Sequence, residues 1–132
     1  MKPSFKHSDV VDLAKYSTIP VINSLSDLHH PCQAAADLMT ITENKETLTG
    51  HISWIGDGNN VLHDLLLASV SLGHDFSYAT PLGYEPDKMI IERAKKIADQ
   101  TGQPHQGGNR HPSYWMYRPL TPESQYPVSY TH

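Results

Sequence analysis

Residues 51–102 alternate twice between a short apolar segment and an amphipathic helical pattern. Residues 51–56 predict a strand that ends at a glycine-containing turn, and residues 61–72 predict a helix with one apolar stripe, ended by a glycine at position 73. Residues 75–80 predict the next strand and residues 87–102 the next helix. Because the connections are short, the strands must be parallel and joined by right-handed crossovers. The expected fold class is α/β, a partial doubly wound parallel sheet.

The segment before this alternation predicts a separate unit over residues 1–43. A short helix is expected from Ser8, which we expect to cap it, and residues 19–23 predict a short buried strand. Pro31 suits the first turn of a second helix, which continues to about Glu43. This unit is therefore expected to be the end of one domain and a linking helix.

The last part of the chain follows neither the helical nor the strand period. Residues 104–132 hold five prolines, the pair Gly107-Gly108 and scattered tyrosines, which predict an irregular or disordered tail. The expected division is therefore residues 1–43, residues 44–103 as the first half of a second domain, and the tail.

Composition excludes several classes of partner. Ten Lys and Arg against fourteen Asp and Glu give a net charge of −4, and no basic cluster suits a phosphate backbone, so no nucleic-acid partner is expected. No apolar stretch approaches membrane-spanning length, so no membrane contact is expected. The single cysteine, Cys32, excludes an internal disulfide and fits a reducing compartment. The first residues lack the pattern of a targeting signal.

An imidazole and a carboxamide lie one helical turn apart in Ser-Asp-Leu-His-His-Pro-Cys-Gln at residues 26–33. His30 and Gln33 can reach one point in front of a helix N-terminus, where backbone N–H groups also face an acceptor. A neutral imidazole can donate a hydrogen bond to a carbonyl oxygen, and the Gln amide offers a donor and an acceptor. The alternative is that His30 only caps the helix and Gln33 faces solvent.

A second motif, Gly-Asp-Gly-Asn-Asn at residues 56–60, lies where a strand turns into a helix. One asparagine is expected to cap the helix, and the other to point across a crevice at the charged end of a substrate. A dinucleotide site is disfavoured because Val61 occupies the place of the third glycine. In addition, Thr80-Pro81 ends the next strand where a ribose-binding carboxylate is needed.

Metal and thiol chemistry are also disfavoured near the first motif. His29, His30 and Cys32 lack the separated second pair of ligands that a closed zinc site needs, so no metal is expected. Cys32 lies near a helix N-terminus, yet the sequence assigns no base that would make it a nucleophile.

The two motifs, followed by Ala-Thr-Pro-Leu-Gly-Tyr-Glu-Pro at residues 79–86, resemble ornithine carbamoyltransferases of the aspartate/ornithine carbamoyltransferase family. The resemblance covers about residues 7–102. It implies transfer of the carbamoyl group from carbamoyl phosphate to ornithine, giving citrulline and phosphate, in arginine biosynthesis or the urea cycle. It implies no cofactor, because a neutral amine attacks an activated carbonyl that the protein positions.

The resemblance also implies roles for individual residues. His30 is the expected catalytic group and hydrogen-bonds the carbonyl oxygen of carbamoyl phosphate. The other carbamoyl phosphate-binding residues are expected to be Pro31, Cys32 and Gln33, and the ornithine-binding residues Asn60 and Leu25.

Several family segments have no counterpart in this sequence. No phosphate-binding loop of the Ser-x-Arg-Thr-Arg type precedes Lys6, and the ornithine-contacting Asp-x-Trp-x-Ser-Met-Gly and His-Cys-Leu-Pro motifs are absent. Residues 110–132 depart from the family as a frameshift or alternative exon would produce. We therefore expect an inactive fragment of a homotrimeric enzyme. The expected compartment is the mitochondrial matrix for an animal or fungus, and the cytoplasm or plastid otherwise.

Two other functions remain open. An inactive ligand-binding pseudoenzyme or truncated isoform would keep His30, Gln33 and Asn60 without the phosphate-binding arginines. The second of these functions is that of a small nucleotide-binding half-domain, which tight binding of NAD would favour.

Overall fold

The computed structural model describes residues 5–45 and 50–101, and the backbone of residues 117–120. These ranges contain four helices: α1 (His7–Tyr16), α2 (Pro31–Asn44), α3 (Asn60–Ser71) and α4 (Lys88–Thr101). They also contain three strands: β1 (His51–Ile55), β2 (Asp75–Pro81) and β3 (Tyr117–Leu120).

The three strands form one parallel sheet in the order β1-β2-β3. Ile52 is paired with Phe76 and Ile55 with Ala79, so the two strands are in register along the whole of β1. The chain runs β1, α3, β2, α4, as the alternation of patterns predicts. The expected α/β class is confirmed, and the sheet is a partial one.

The core lies between one face of the sheet and α3. Leu62, Leu66 and Phe76 are almost completely buried at this contact. Helices α2 and α4 pack against α3 through small or aliphatic side chains, namely Ala34 and Leu38 of α2 and Ala94 of α4. Burial of each large apolar side chain contributes about 1.5–3 kcal/mol. The central helix α3 therefore holds the sheet, α2 and α4 together.

Both ends of α3 follow the sequence prediction. The Asn59 side chain caps the helix by accepting hydrogen bonds from the backbone N–H groups of Val61 and Leu62, at 3.1 and 3.2 Å. Gly73 follows the last turn with a φ of 78°, a left-handed conformation that glycine adopts without strain. The orphan backbone groups at these ends are thereby satisfied locally.

The predicted strand over residues 19–23 is wrong. The structure has an irregular connection between α1 and α2 there, and Ile19 and Ile22 are 72% and 79% exposed. A strand needs a neighbour to pair its backbone groups, and none of the described strands lies beside this segment. An apolar run alone therefore does not make a strand.

The start of α1 also differs from the prediction. The helix begins at His7, and Lys6 rather than Ser8 occupies the N-cap position. The Lys6 backbone N–H donates to the Asp9 carboxylate at 3.3 Å, because Asp9 lies three residues further on, where such a contact closes the first turn.

Four residues of the predicted irregular tail, Tyr117–Leu120, form β3, so the prediction is wrong for them. They pair with β2 over Tyr78 to Pro81. The free edge of β2 offers unpaired backbone groups to any extended segment, whatever its side-chain period. Pro119 is tolerated because β3 is the edge strand of the described sheet. The rest of the tail, residues 104–116 and 121–132, lies outside the described residues.

Candidate active site

The loop before α2 is closed by hydrogen bonds to its own residues. The backbone N–H of Ser26 donates to the carbonyl of His29 at 2.8 Å, and the His29 N–H donates to the Ser26 hydroxyl at 3.0 Å. Ser26 is fully buried. Residues 26–29 therefore form a compact turn that leads directly to His30.

His30 occupies the N-cap position of α2, and Pro31 is the first helical residue, as predicted. The carbonyl of His30 accepts from the N–H groups of Gln33 and Ala34, at 3.2 and 3.3 Å. The missing N–H of proline costs nothing at this position, since the first N–H groups of a helix have no partner within it. The His30 ring thus lies at the positive end of the helix dipole.

The turn between β1 and α3 is held against the segment after β2. The Gly58 N–H donates to the carbonyl of Tyr84 at 2.7 Å. A Cβ atom at Gly58 would lie 2.1 Å from the backbone nitrogen of Pro86, so only glycine fits here. This close approach places the start of α3 at the carboxyl end of the sheet, where α/β folds bind ligands.

One face of α3 holds the loop that precedes His30. Asn60, His63 and Asp64 share this face because they are spaced by three and four residues. The Asn60 side-chain amide donates to the carbonyl of Ser26 at 2.7 Å, and the His63 ring bonds the carbonyl of Leu28 at 2.9 Å. The N-terminal ends of α2 and α3 therefore lie side by side.

Asp64 makes two further contacts with the same loop. One carboxylate oxygen lies 2.6 Å from Nδ1 of His29, and the other accepts from the His30 backbone N–H at 2.5 Å. Asp64 is only 8% exposed, and a carboxylate so buried is stable only when its oxygens are partnered. Both of its oxygens are partnered here.

The hydrogen bonds of His63 assign its protonation. Nε2 accepts from the backbone N–H of Asp87 at 3.0 Å, so it carries no proton. Nδ1 faces the carbonyl of Leu28, which can only accept, so Nδ1 carries the proton. His63 is therefore a neutral imidazole that joins the loop before α2 to the residue before α4.

The His30 ring is held less completely than its backbone. Its Nδ1 atom is buried and has no hydrogen-bond partner among the described residues. An unpaired buried polar atom costs about 1–3 kcal/mol, which a hydrogen bond to a ligand would offset. The ring is thus a polar group at the paired helix ends with unused hydrogen-bonding capacity.

The other predicted site residues make no hydrogen bond between the paired helix ends among the described contacts. Gln33 is exposed, and its amide donates to the Asp37 carboxylate one turn along α2, at 2.9 Å. Cys32 is exposed, with its sulfur 3.7 Å from the carbonyl of Asn23, and Leu25 is 43% exposed. The structure brings the loop of His30 to Asn60, whereas Gln33 is hydrogen-bonded along its own helix.

Three residues of this arrangement had no predicted structural role. The sequence motifs suggest only a disfavoured metal-ligand role for His29, and they assign no role to His63 or Asp64. Asp64 and His63 could have been noticed as polar residues within the apolar stretch 61–72, at helical spacing from Asn60. Their partners in the loop before α2 lie 34 or 35 residues away and could not be inferred from that spacing.

A mainly apolar cavity of about 750 Å³ lies between α2, α3 and α4. His29 and Asp64 reach its lining, but His30 and Asn60 do not. Among the described residues, no group of three or more His, Cys, Asp or Glu could hold a metal ion. Nor does any described helix have the length and apolar character needed to cross a membrane.

Two family models match the chain over most of its length. Residues 1–43 match the carbamoyl-phosphate binding domain of aspartate/ornithine carbamoyltransferases, and residues 49–109 match their Asp/Orn binding domain. The chain belongs to the aspartate/ornithine carbamoyltransferase family. The two paired helix ends thus come from segments that match different domains of this family.

Individual relatives agree with this family. Ornithine carbamoyltransferase of Bacillus cereus strain AH187 is 56% identical over 100 residues, which are 75% of this chain and 32% of the relative. The solved ornithine carbamoyltransferase of Pyrococcus furiosus aligns with a TM-score of 0.72 and 55% identity, over 74% of this chain and 32% of that one. The Gloeobacter violaceus structure aligns with a TM-score of 0.72 and 45% identity, over 74% and 35%. The chain therefore spans about a third of the relatives it matches.

Proposed function

We propose that this chain contributes part of the active site of an ornithine carbamoyltransferase. The reaction transfers the carbamoyl group of carbamoyl phosphate to ornithine and gives citrulline and phosphate. The observation that supports this proposal is the pairing of the two helix starts through the Asn60–Ser26 and Asp64–His30 hydrogen bonds. A ligand in front of one start can then contact the other.

The chemistry suits the groups at these helix ends. The amine of ornithine attacks the carbonyl carbon, and the carbonyl oxygen gains negative charge before phosphate leaves. His30 would donate a hydrogen bond to that oxygen, and the N-terminal dipole of α2 would stabilise the same charge. The N-terminal end of α2 would then stabilise charge that develops during the reaction.

Asn60 has hydrogen-bonding capacity left for the amino acid. One amide N–H is bound to Ser26, and its oxygen accepts from the Val61 N–H at 3.0 Å. A second N–H and a second lone pair remain, which fit a carboxylate and an ammonium group. In this proposal Leu25 contacts the apolar stem of ornithine, and Gln33, Pro31 and Cys32 line the carbamoyl phosphate side.

The domain division, homotrimeric assembly, pathway and compartment stay predictions. In this proposal residues 1–43 end the carbamoyl-phosphate domain and residues 44–103 begin the ornithine domain. In this proposal the 132-residue chain by itself binds ligand without turning it over.

A ligand-binding pseudoenzyme is the second candidate. It is favoured by the placement of Arg93, the one arginine within residues 5–45 and 50–101, because Arg93 lines the apolar cavity of α2, α3 and α4, which neither His30 nor Asn60 lines. Charge-assisted binding of phosphate would then be weak, and the chain would act through binding alone.

Calorimetric titration of the full chain tests the proposal. Carbamoyl phosphate, norvaline as an unreactive ornithine analogue, and NAD are added separately to the chain and to its His30→Ala variant. We expect heat with carbamoyl phosphate that the variant lacks, heat with norvaline, and none with NAD. The matched control is His51→Ala, since His51 is an exposed strand residue bound only to the Ser77 hydroxyl among the described contacts.

The outcomes separate the candidates. NAD binding would contradict both, and the absence of any binding would contradict a retained ligand site. A citrulline assay of the chain alone is expected to show no turnover under either candidate, so complementation with a second chain is what distinguishes them. The assay is repeated with the chain added to a subunit that lacks residues equivalent to 1–103, because a site completed from two chains would restore turnover.

A further inference from the structure

Asp64 is hydrogen-bonded to two consecutive residues, His29 and His30. Its carboxylate binds the His29 ring through one oxygen and the His30 N–H through the other, at 2.6 and 2.5 Å. The first contact holds the side chain of His29, and the second holds the backbone of His30. Two hydrogen bonds from one planar group leave the peptide between these residues little freedom to rotate.

The backbone that Asp64 holds sets the direction in which the His30 side chain leaves the main chain. His30 has φ −140° and ψ 63°, so the chain turns sharply at this residue as it enters α2. The Nδ1 atom of the ring is buried without a partner among the described residues. Because no hydrogen bond of Nδ1 fixes the ring directly, the ring depends on the His30 backbone, whose N–H is held by Asp64 and whose carbonyl is held by the first turn of α2.

His29 is itself supported from the other side. Its ring packs edge-on against the ring of His7, with centroids 4.7 Å apart and planes at 63°. Nδ1 of the His7 ring in turn lies 3.2 Å from the buried hydroxyl oxygen of Ser26. The Asp64 carboxylate therefore binds the His30 backbone directly. It is also linked to the N-terminal end of α1 indirectly, because His29 packs between Asp64 and His7.

We propose that Asp64 is a positioning residue for His30: its carboxylate, paired with His29 and with the His30 N–H, orients the imidazole toward the carbonyl oxygen of the ligand. This inference rests on the proposed function, since it assigns the ligand that His30 meets. It adds a residue that touches no substrate. Asp64 acts only through the loop it holds.

The competing explanation is a purely structural one, in which Asp64 only attaches α2 to α3. Asp64→Asn and Asp64→Ala separate the two explanations. The Asn oxygen can still accept from the His30 N–H, but its NH₂ group meets the His29 ring as a donor and forces the other His29 tautomer. The Ala variant loses both contacts. Asp75→Asn is the matched control, because Asp75 is an exposed carboxylate at the start of β2.

The measurement is nuclear magnetic resonance of the full chain, labelled with nitrogen-15 and carbon-13. We expect the His30 amide proton to move strongly upfield in Asp64→Ala and the χ1 couplings of His30 to become averaged over several rotamers. In Asp64→Asn the amide shift should be partly retained, while the ring nitrogens of His29 report the exchanged tautomer. Unchanged χ1 couplings of His30 in Asp64→Ala, with the fold intact, would overturn the proposal.

A binding cycle tests the ligand part separately. Asp64→Ala should weaken carbamoyl phosphate binding about tenfold, the scale of one lost hydrogen bond to a charged group. The same change made in a His30→Ala background should cause no further loss, and equal losses in both backgrounds would contradict action through His30. If the unaltered chain binds no carbamoyl phosphate, the proposed function fails in this chain, while the His30 couplings still decide whether Asp64 positions the ring.

Discussion

The side-chain amide of Asn60 donates a hydrogen bond of 2.7 Å to the backbone carbonyl of Ser26, which lies 34 residues earlier in the chain. This bond joins the first residue of α3 to the loop that ends at His30. The two segments match different family domains. The contact therefore joins the segment that matches the carbamoyl-phosphate binding domain to the segment that matches the Asp/Orn binding domain.

Replacing Asn60 by Ala is expected to weaken norvaline binding by about tenfold or more and carbamoyl phosphate binding by much less. The amide supplies polar contacts that only the amino acid uses in the proposed site. Calorimetric titration with each ligand measures the two losses. The control is Asn59→Ala, which removes the α3 cap and costs about 1 kcal/mol of stability without removing a proposed ligand group. Equal losses for both ligands in Asn60→Ala would indicate a collapsed turn instead.

His30→Ala is expected to lower kcat by about two to three orders of magnitude in a full-length enzyme that contains these residues. The imidazole is proposed to bind the oxygen on which charge develops, and removal of one such donor has this effect. Steady-state citrulline production measures the rate, with His51→Ala as a variant that leaves the site intact. An unchanged kcat would remove His30 from the reaction.

Local patterns were sufficient to predict most of the described fold. The alternation over residues 51–102, the glycine after α3 and the proline at the start of α2 all act within a few residues, so sequence spacing reveals them. The strand prediction for residues 19–23 is wrong because the apolar run there has no strand to pair with among the described residues. The prediction for β3 is wrong for the opposite reason. Its sequence has no strand period, but the free edge of β2 provides a pairing partner.

The site was predictable only in part, and for a similar reason. The motifs placed His30 and Asn60 at two helix starts. They did not reveal that Asp64 and His63 hold the loop between them, because those contacts span 34 or 35 residues. Gln33 was expected beside His30 from helical spacing. The same spacing also allows the contact with Asp37 one turn further on, which the structure shows.

Gly58→Ala is expected to destabilise the chain by several kcal/mol, as large backbone displacements do. The added Cβ would lie 2.1 Å from the Pro86 nitrogen and 2.4 Å from the Glu85 carbonyl carbon, which are backbone atoms that cannot rotate away. Urea denaturation measures the free energy of unfolding. Gly50→Ala is the matched control, because its Cβ would meet nothing within 4 Å. Similar losses in both variants would mean that the close approach at Gly58 is absent in solution.

Replacing His63 by Leu is expected to lower the free energy of unfolding by about 2–6 kcal/mol. The imidazole is 5% exposed and satisfies the Leu28 carbonyl and the Asp87 N–H at once. Leucine of similar bulk leaves both groups without a partner, at about 1–3 kcal/mol each. Urea denaturation measures the loss, and amide hydrogen exchange should show faster exchange of the Asp87 N–H. His51→Leu, on the exposed end of β1, should change the free energy by less than about 1 kcal/mol. Unaltered exchange at Asp87 in His63→Leu would contradict the assigned Nδ1–H tautomer, because that tautomer alone leaves Nε2 free to accept from Asp87.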